Sequence, residues 1–473
     1  MSIQVALFLL YFVLIFLVGY YCWRRTRDES DYWIAGGKLS WFVGGGTLAA
    51  THASAGTFVG TIGVIYTAGW SFAWLVLSIP AAYWFMAAVL APRFTRSKEL
   101  TLPSFIETRY RSVQVRRLAA AIILVSTVVY VQAQIVAGGI ITNIVFGIPI
   151  EWSMTLFTIV LLLYTAVGGM LAVVYTDLIQ LVVMTVGVIA ALPMSVRAVG
   201  GIDSLFVNVQ AVKPETFTWE SLPPSLLFTM GLAFTLGTVA TPEKLVRLYA
   251  MENMRAIRRG ILFASVAATG LNLVIFVIAL ASIVLFPALP TGDLAMPMVA
   301  RAVLPSVLGA ILLAAIAAAI MSTVDSLMLV AGSALAHDLY GSFRPQASPS
   351  KRLWIGRAGI FLVGTVPLVL ILSGVGEGEL VQFIVLLFTA LMASSFFMPV
   401  VAGVYWKRAT KEGAAAAMIG GVSVCFLWKA FGAATVDPVL PGFLVSGLLL
   451  VGVSLLTPPP PPDAFALYAP ESE

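Results

Sequence analysis

Residues 41–57 read Trp41-Phe42-Val43-Gly44-Gly45-Gly46-Thr47-Leu48-Ala49-Ala50-Thr51-His52-Ala53-Ser54-Ala55-Gly56-Thr57. Small and hydroxylated residues fill the middle of an apolar stretch, with a histidine among them. Close helix packing through Gly and Ala accounts for such a composition, because membrane bundles use small residues to bring backbones together. A discontinuous helix, whose freed carbonyls coordinate a cation, is the alternative. In lipid a broken backbone belongs only where it lines a site, so the solvent around the stretch matters first.

The rest of the chain defines that solvent. Its 473 residues are 60% hydrophobic and 10% charged, with a mean hydropathy of +1.00. A soluble domain is about 45–50% apolar and about 25% charged. Disorder is excluded by the same numbers, and a disulfide scaffold by the presence of only Cys22 and Cys425. The expectation is an all-α polytopic membrane protein. A hydrocarbon core about 30 Å thick needs about 20 apolar residues per crossing. Thirteen segments qualify, near 3–22, 41–66, 71–91, 118–147, 152–170, 177–196, 225–243, 260–286, 298–336, 356–373, 380–405, 413–431 and 438–457. No basic region precedes residues 3–22 and no small-residue cleavage site follows, so they read as a retained anchor stopped by Arg24, Arg25 and Arg27. Residues 298–336 as one helix would run ~58 Å. Pro305 is therefore expected to separate a short outer helix carrying Arg301 from a span near 306–336. The segment 118–147 is expected to tilt. Beyond Thr457, prolines 458–462 predict an extended cytoplasmic end, too short for a catalytic or signalling domain.

Orientation follows from Lys and Arg. With the N-terminus outside, 23 of the 27 basic residues fall in the inner loops 24–40, 92–117, 244–260, 337–357 and 405–412. Lys244 and Arg247 are counted among them. The opposite loops carry Asp203, Glu215, Glu220, Asp293, Glu377, Glu379 and Asp437. This predicts a plasma-membrane protein with its N-terminus out and its C-terminus in. The net charge of +5 is spread over short loops rather than gathered in one patch, which argues against a nucleic-acid partner.

A second candidate for interruption is the seventh span, Gly231-Leu232-Ala233-Phe234-Thr235-Leu236-Gly237-Thr238, which ends in Thr241-Pro242-Glu243-Lys244. It stands five helices after the first. Two such segments in corresponding halves point to a transporter site between inverted repeats, although no repeat is visible residue by residue. In the ninth span Ala319, Ser322, Thr323 and Ser326 share one helical face. Such a face offers hard oxygens to a cation; alternatively its hydroxyls bond back to the preceding turn or join helices. Asp325 is either an intramembrane carboxylate with a functional partner or a solvated group near the mouth. Asp177 is either a second such carboxylate or an N-cap at the interface. His52 is a proton carrier or a packing residue. No HExxH, GxSxG or phosphate-loop pattern is present, so no enzyme is expected.

Three motifs in order, Asp31-Tyr-Trp-Ile-Ala-Gly-Gly37, Tyr164-Thr-Ala-Val-Gly-Gly-Met-Leu-Ala-Val-Val-Tyr-Thr-Asp177 and Ala318-Ala-Ile-Met-Ser-Thr-Val-Asp-Ser326, resemble the sodium:solute symporter family. The likeness is to its bacterial branch of proline and pantothenate permeases and runs from about residue 5 to 456. It implies ten core helices in two inverted repeats of five, over residues 41–196 and 225–405. The first helix (1–24), the last two (413–457) and the tail (458–473) would lie outside that core. It implies Na⁺ as coupling ion, bound by the carbonyls of Ala50, Ala53 and Ala319 and the hydroxyls of Ser322 and Thr323. A second cation would involve Asp177, with Asp325-Ser326 standing where some relatives have paired serines. Substrate contacts would come from His52, Ser54 and Thr57, with Gln132 and Gln134 behind them. Gly56 and Thr57 replace the acidic and amide groups of sugar carriers, and His52 stands where proline permeases carry an aspartate. The implied activity is import of a small carboxylate or zwitterion, such as a monocarboxylate, pantothenate or proline, by a prokaryotic monomer or loose oligomer. A proton-coupled carrier using Asp325, Asp177 and His52 is the nearest alternative. A membrane solute sensor is another, but the tail after Thr457 leaves no room for a signalling domain.

Overall fold

A computed structural model describes residues 3–24 and 37–469 of the chain. Residues Asp31 to Gly36 of the first motif, Arg25, Arg27 and the last four residues of the tail lie outside the described residues. Among the described residues every regular element is helical, apart from one isolated bridge pairing Leu39 with Met251.

In chain order the principal helices are α1 (Ile3–Trp23), α2 (Trp41–His52), α3 (Gly56–Ala68), α4 (Trp70–Ser97), α5 (Leu102–Tyr110) and α6 (Val113–Phe146). They continue as α7 (Ile150–Ala166), α8 (Gly169–Ala198), α9 (Pro224–Ala240), α10 (Pro242–Ala250) and α11 (Met254–Leu285). The last are α12 (Ser306–Phe343), α13 (Pro349–Leu372), α14 (Val381–Tyr405), α15 (Lys411–Phe431) and α16 (Val439–Leu456). Eleven spans among the described residues are long and apolar enough to cross a bilayer, and the bent pair α2–α3 makes twelve. The thirteenth expected segment is α7, which at 17 residues is shorter than the ~20 of a straight crossing. Gly169 cuts it from α8, with a φ of 68° that residues bearing a Cβ rarely adopt. The expected break at Pro305 is present, between the outer turn Val299–Val303 and α12.

Burial sorts the helices. In α12 and α14, 83% of the apolar window is buried, against 28% in α1, α15 and α16. The latter three turn Leu10, Leu17, Leu427, Leu448 and Leu456 outward, as helices facing lipid tails do. The tail departs from the extended form expected for it. Asp463–Ala466 forms a short helix, Arg111 pairs with Asp463 at 2.9 Å, and Tyr468 is buried beside Phe105. Five prolines extend the chain, but the aromatic side chains after them find apolar cover against α5.

Both readings of residues 41–57 hold, in different parts of the stretch. A Cβ on Gly45 would stand 2.6 Å from the Gly260 carbonyl oxygen, so the glycine run is what lets α2 lie against α11. The break comes later, between His52 and Gly56, where α2 and α3 meet at 50°.

Candidate functional site

The break is built by its own residues. Ala53 leaves the helical region at ψ 87°, and the Ser54 hydroxyl accepts the Gly56 N–H at 3.0 Å. The Thr57 and Phe58 amides return to the Ser54 carbonyl, which restarts the helix as α3. The remaining Ala55 N–H donates to Gln134 Oε1 of α6 at 3.2 Å. Gln134 is fully buried, and its role is to hold the unwound backbone. Gln132 points elsewhere and donates to the Val375 carbonyl at 2.7 Å, beyond the C-terminal end of α13.

Above the break, α12 presents hydroxyls to the last carbonyls of α2. Ser322 Oγ lies 2.9 Å from the Ala50 carbonyl oxygen and 3.1 Å from that of Ala319. Thr323 Oγ1 lies 3.1 Å from the Thr51 oxygen and 3.2 Å from that of Ala319. All of these residues are buried. The hydroxyls and carbonyls make a set of neutral hard oxygens of the kind a sodium ion prefers, and no anion need be buried to form it. Of the expected ligands, Ala50, Ala319, Ser322 and Thr323 come together. The Thr51 carbonyl meets Thr323, where the resemblance implied Ala53.

One turn along α12 the chemistry changes. Ser326 Oγ stands 3.2 Å from Thr51 Oγ1 and accepts from the Arg247 guanidinium at 2.6 Å. Arg247 also donates to Asp177 Oδ2 at 3.1 Å, to Thr47 Oγ1 at 3.0 Å and to the Glu243 carbonyl at 2.6 Å. Thr47 in turn donates to Asp177. Asp177 and Arg247 are 0% and 1% exposed at their side chains. Asp177 is therefore no interfacial cap: α8 begins two turns earlier, at Gly169, and carries it inside. Asp325 adjoins Ser326 in sequence but faces away, accepting from the Thr165 hydroxyl of α7, while its Oδ2 is buried without a partner. The three residues expected to share a second cation thus divide between two neighbourhoods. In this conformation the guanidinium already supplies the positive charge beside Asp177 and Ser326.

Arg247 and Lys244 had been counted with the inner loops. They lie buried on α10, which after the break at Thr241-Pro242 continues the same span as α9, Pro224–Ala250. Lys244 lines a small cavity together with His52, Ser54, Thr57 and Thr61 from the broken helix. Phe72, Tyr130, Phe234 and Phe388 form its apolar side, with Tyr130 stacked on Phe388 at 4.4 Å. His52 rests its ring against Tyr83 at 5.6 Å. The three leading substrate candidates of the sequence therefore line one cavity; Gln132 and Gln134 are not among its lining residues.

A family model described as the sodium:solute symporter family matches residues 32–421. The chain belongs to the sodium:solute symporter family. Among its relatives, the osmoregulated proline transporter OpuE of Bacillus subtilis (strain 168) is 28% identical, over 99% of this chain and 98% of its own length. A sodium/pantothenate symporter of Escherichia coli (strain K12) is 29% identical, over 93% of this chain and 94% of its own. A solved Na⁺-coupled sialic acid symporter, substrate-bound and outward-open, shares the fold with a TM-score of 0.83 at 21% identity, covering 97% of this chain and 99% of that one. This family member is a multi-pass membrane transporter with the inverted-repeat fold, and not an enzyme. Within the family frame, the sequence reading missed Lys244, Arg247 and Thr165. The available signal was the Thr241-Pro242 step, a proline suited to the first turn of a helix that carries the span on to Ala250.

Proposed function

We propose that this symporter uses the inward sodium gradient to import a small organic carboxylate or zwitterion by alternating access. One observation carries the reading: a single break in α2–α3 serves both clusters. Its upper carbonyls, Ala50 and Thr51, face Ser322 and Thr323 respectively, and Ser54, one turn on, lines the cavity. Sodium held between α2 and α12 would fix the break, and the fixed break would complete the cavity. Coupling of this kind is reciprocal, so substrate must raise sodium affinity by the same factor. A membrane potential contributes about 2.3 kcal/mol per charge per 100 mV, enough to support accumulation. The repeats are assigned to residues 41–196 and 225–405, with the N-terminus outside and the C-terminus inside, in a plasma membrane.

The test is uptake into proteoliposomes of radiolabelled proline, pantothenate, pyruvate and lactate, with and without an inward Na⁺ gradient at fixed pH. Uptake of one compound only with sodium is the expected result. Uptake driven equally by a proton gradient without sodium would move the coupling to Asp325, whose buried Oδ2 lacks a partner.

A further inference from the structure

Lys244 is the cation nearest the proposed transport path, and its surroundings specify a substrate. Only 6% of it is exposed, on the first turn of α10. Its Nζ reaches Thr241 Oγ1 at 3.3 Å and forms an ion pair with Glu243 Oε1 at 3.6 Å, longer than a hydrogen bond. An ammonium has three donors, so the protein leaves donor capacity at the wall of the cavity. Glu243 balances the buried charge, while the donors of the ammonium beyond Thr241 are left for a further acceptor. The walls give the rest of the pattern. Lys244 and the hydroxyls of Thr57 and Thr238 line the cavity, as do the rings of Phe72, Phe234 and Phe388. No carboxylate lines it.

We propose that Lys244 anchors the carboxylate of the transported solute, and that this solute is a small monocarboxylate with an apolar body rather than an amino acid. The inference rests on the transport reading above and narrows its substrate class. A carboxylate at Lys244 would accept from the ammonium and the neighbouring hydroxyls, while the apolar body would lie on the rings. An amino acid would bring an ammonium group to a cavity whose lining offers Lys244 and no carboxylate. Glu243 is the one nearby group able to answer that ammonium. Both its oxygens are buried without a hydrogen-bond partner, but it lies outside the lining.

The experiment uses the purified full chain, with thermal stability and direct binding read in sodium and in choline buffer. The probes are butyrate, pyruvate, butyramide and L-proline. In sodium, butyrate and pyruvate should stabilise the protein and bind at least about tenfold tighter than butyramide or proline. Lys244→Gln should lose about tenfold or more in carboxylate affinity, and Lys244→Arg should keep most of it, while both keep the stabilisation given by sodium alone. Butyramide binding as well as butyrate would overturn the proposal, and that comparison needs no variant. Preference for proline would overturn it as well and transfer the site to the Glu243–Lys244 pair. Silence from both carboxylates, with sodium still stabilising the protein, would overturn the anchor and leave the symporter reading intact. Absence of any sodium effect on the wild type would instead remove the transport reading itself.

Discussion

Two clusters on α12, one turn apart, meet the same broken helix with opposite chemistry. Ser322 and Thr323 face the carbonyls of Ala50 and Thr51, an arrangement of neutral oxygens only. Ser326 faces Asp177, Thr47 and Thr51, and there a guanidinium fills the space between them. By composition the second cluster is the stronger cation site, since it owns a carboxylate. In three dimensions it is the weaker, because the cation is covalently part of the chain. Two like charges about 4 Å apart repel by about 4 kcal/mol at an effective dielectric near 20. A sodium ion at Asp177 would meet that repulsion until Arg247 moved away. The neutral cluster carries no such resident charge, and its hydroxyls need only rotate to offer lone pairs.

The largest effect that separates the clusters is expected from Arg247→Met. It leaves the buried Asp177 without its partner, and breaking such a pair costs about 3–5 kcal/mol. The melting temperature should fall steeply and transport should be lost, whereas Asp177→Asn added to Arg247→Met should recover much of the stability. A single variant as stable as the wild type would mean that the guanidinium does not neutralise this cluster. Next in size are Ser322→Ala and Thr323→Ala, each expected to raise the half-saturating sodium concentration about tenfold, or about 1.4 kcal/mol. Ser333→Ala is the matched control, since that hydroxyl bonds back to the Val330 carbonyl at 2.8 Å. Equal small effects at all three positions would dissolve the distinction between the faces.

The smallest effect concerns a carboxylate that has no cation at all. Asp293, between α11 and α12 and outside the spans, accepts the Val381 N–H at 3.0 Å, and its other oxygen is buried unpartnered. Burial pushes its carboxyl up to about 7, with the Val381 hydrogen bond offsetting only part of the rise. The folded state therefore holds a proton that the unfolded chain has released. The stabilisation from this group is complete below about pH 4 and fades as pH rises through about 7. Asp293→Asn should flatten that part of the melting-temperature profile and keep the acceptor for Val381. An unchanged slope in the variant would remove Asp293 as its source.

Much of the fold was legible because lipid makes the code simple. Long apolar segments and the Pro305 break follow from hydropathy and from the missing N–H of proline. Part of the site was legible for a similar reason: Ala319, Ser322 and Thr323 are spaced along one helix, and that spacing fixes their shared face. Lys244 and Arg247 were not, because basic residues past the end of an apolar stretch read as loop markers. Asp325 and Ser326 were misjoined as neighbours, since adjacent residues on a helix point about 100° apart.

The chain alone determined that this is a helical bundle in a membrane and which hydroxyls line one face of α12. Those properties are local, set by hydrogen bonding within a helix and by transfer of side chains into lipid. Tertiary structure alone decided that Gln134 satisfies the opened backbone at Ala55, that Arg247 neutralises Asp177, and that Lys244 faces the cavity beside His52. Each depends on residues from separate helices meeting at one depth. Charge and hydrogen-bond partners in a bundle are chosen by helix rotation and register, which no stretch of sequence carries by itself.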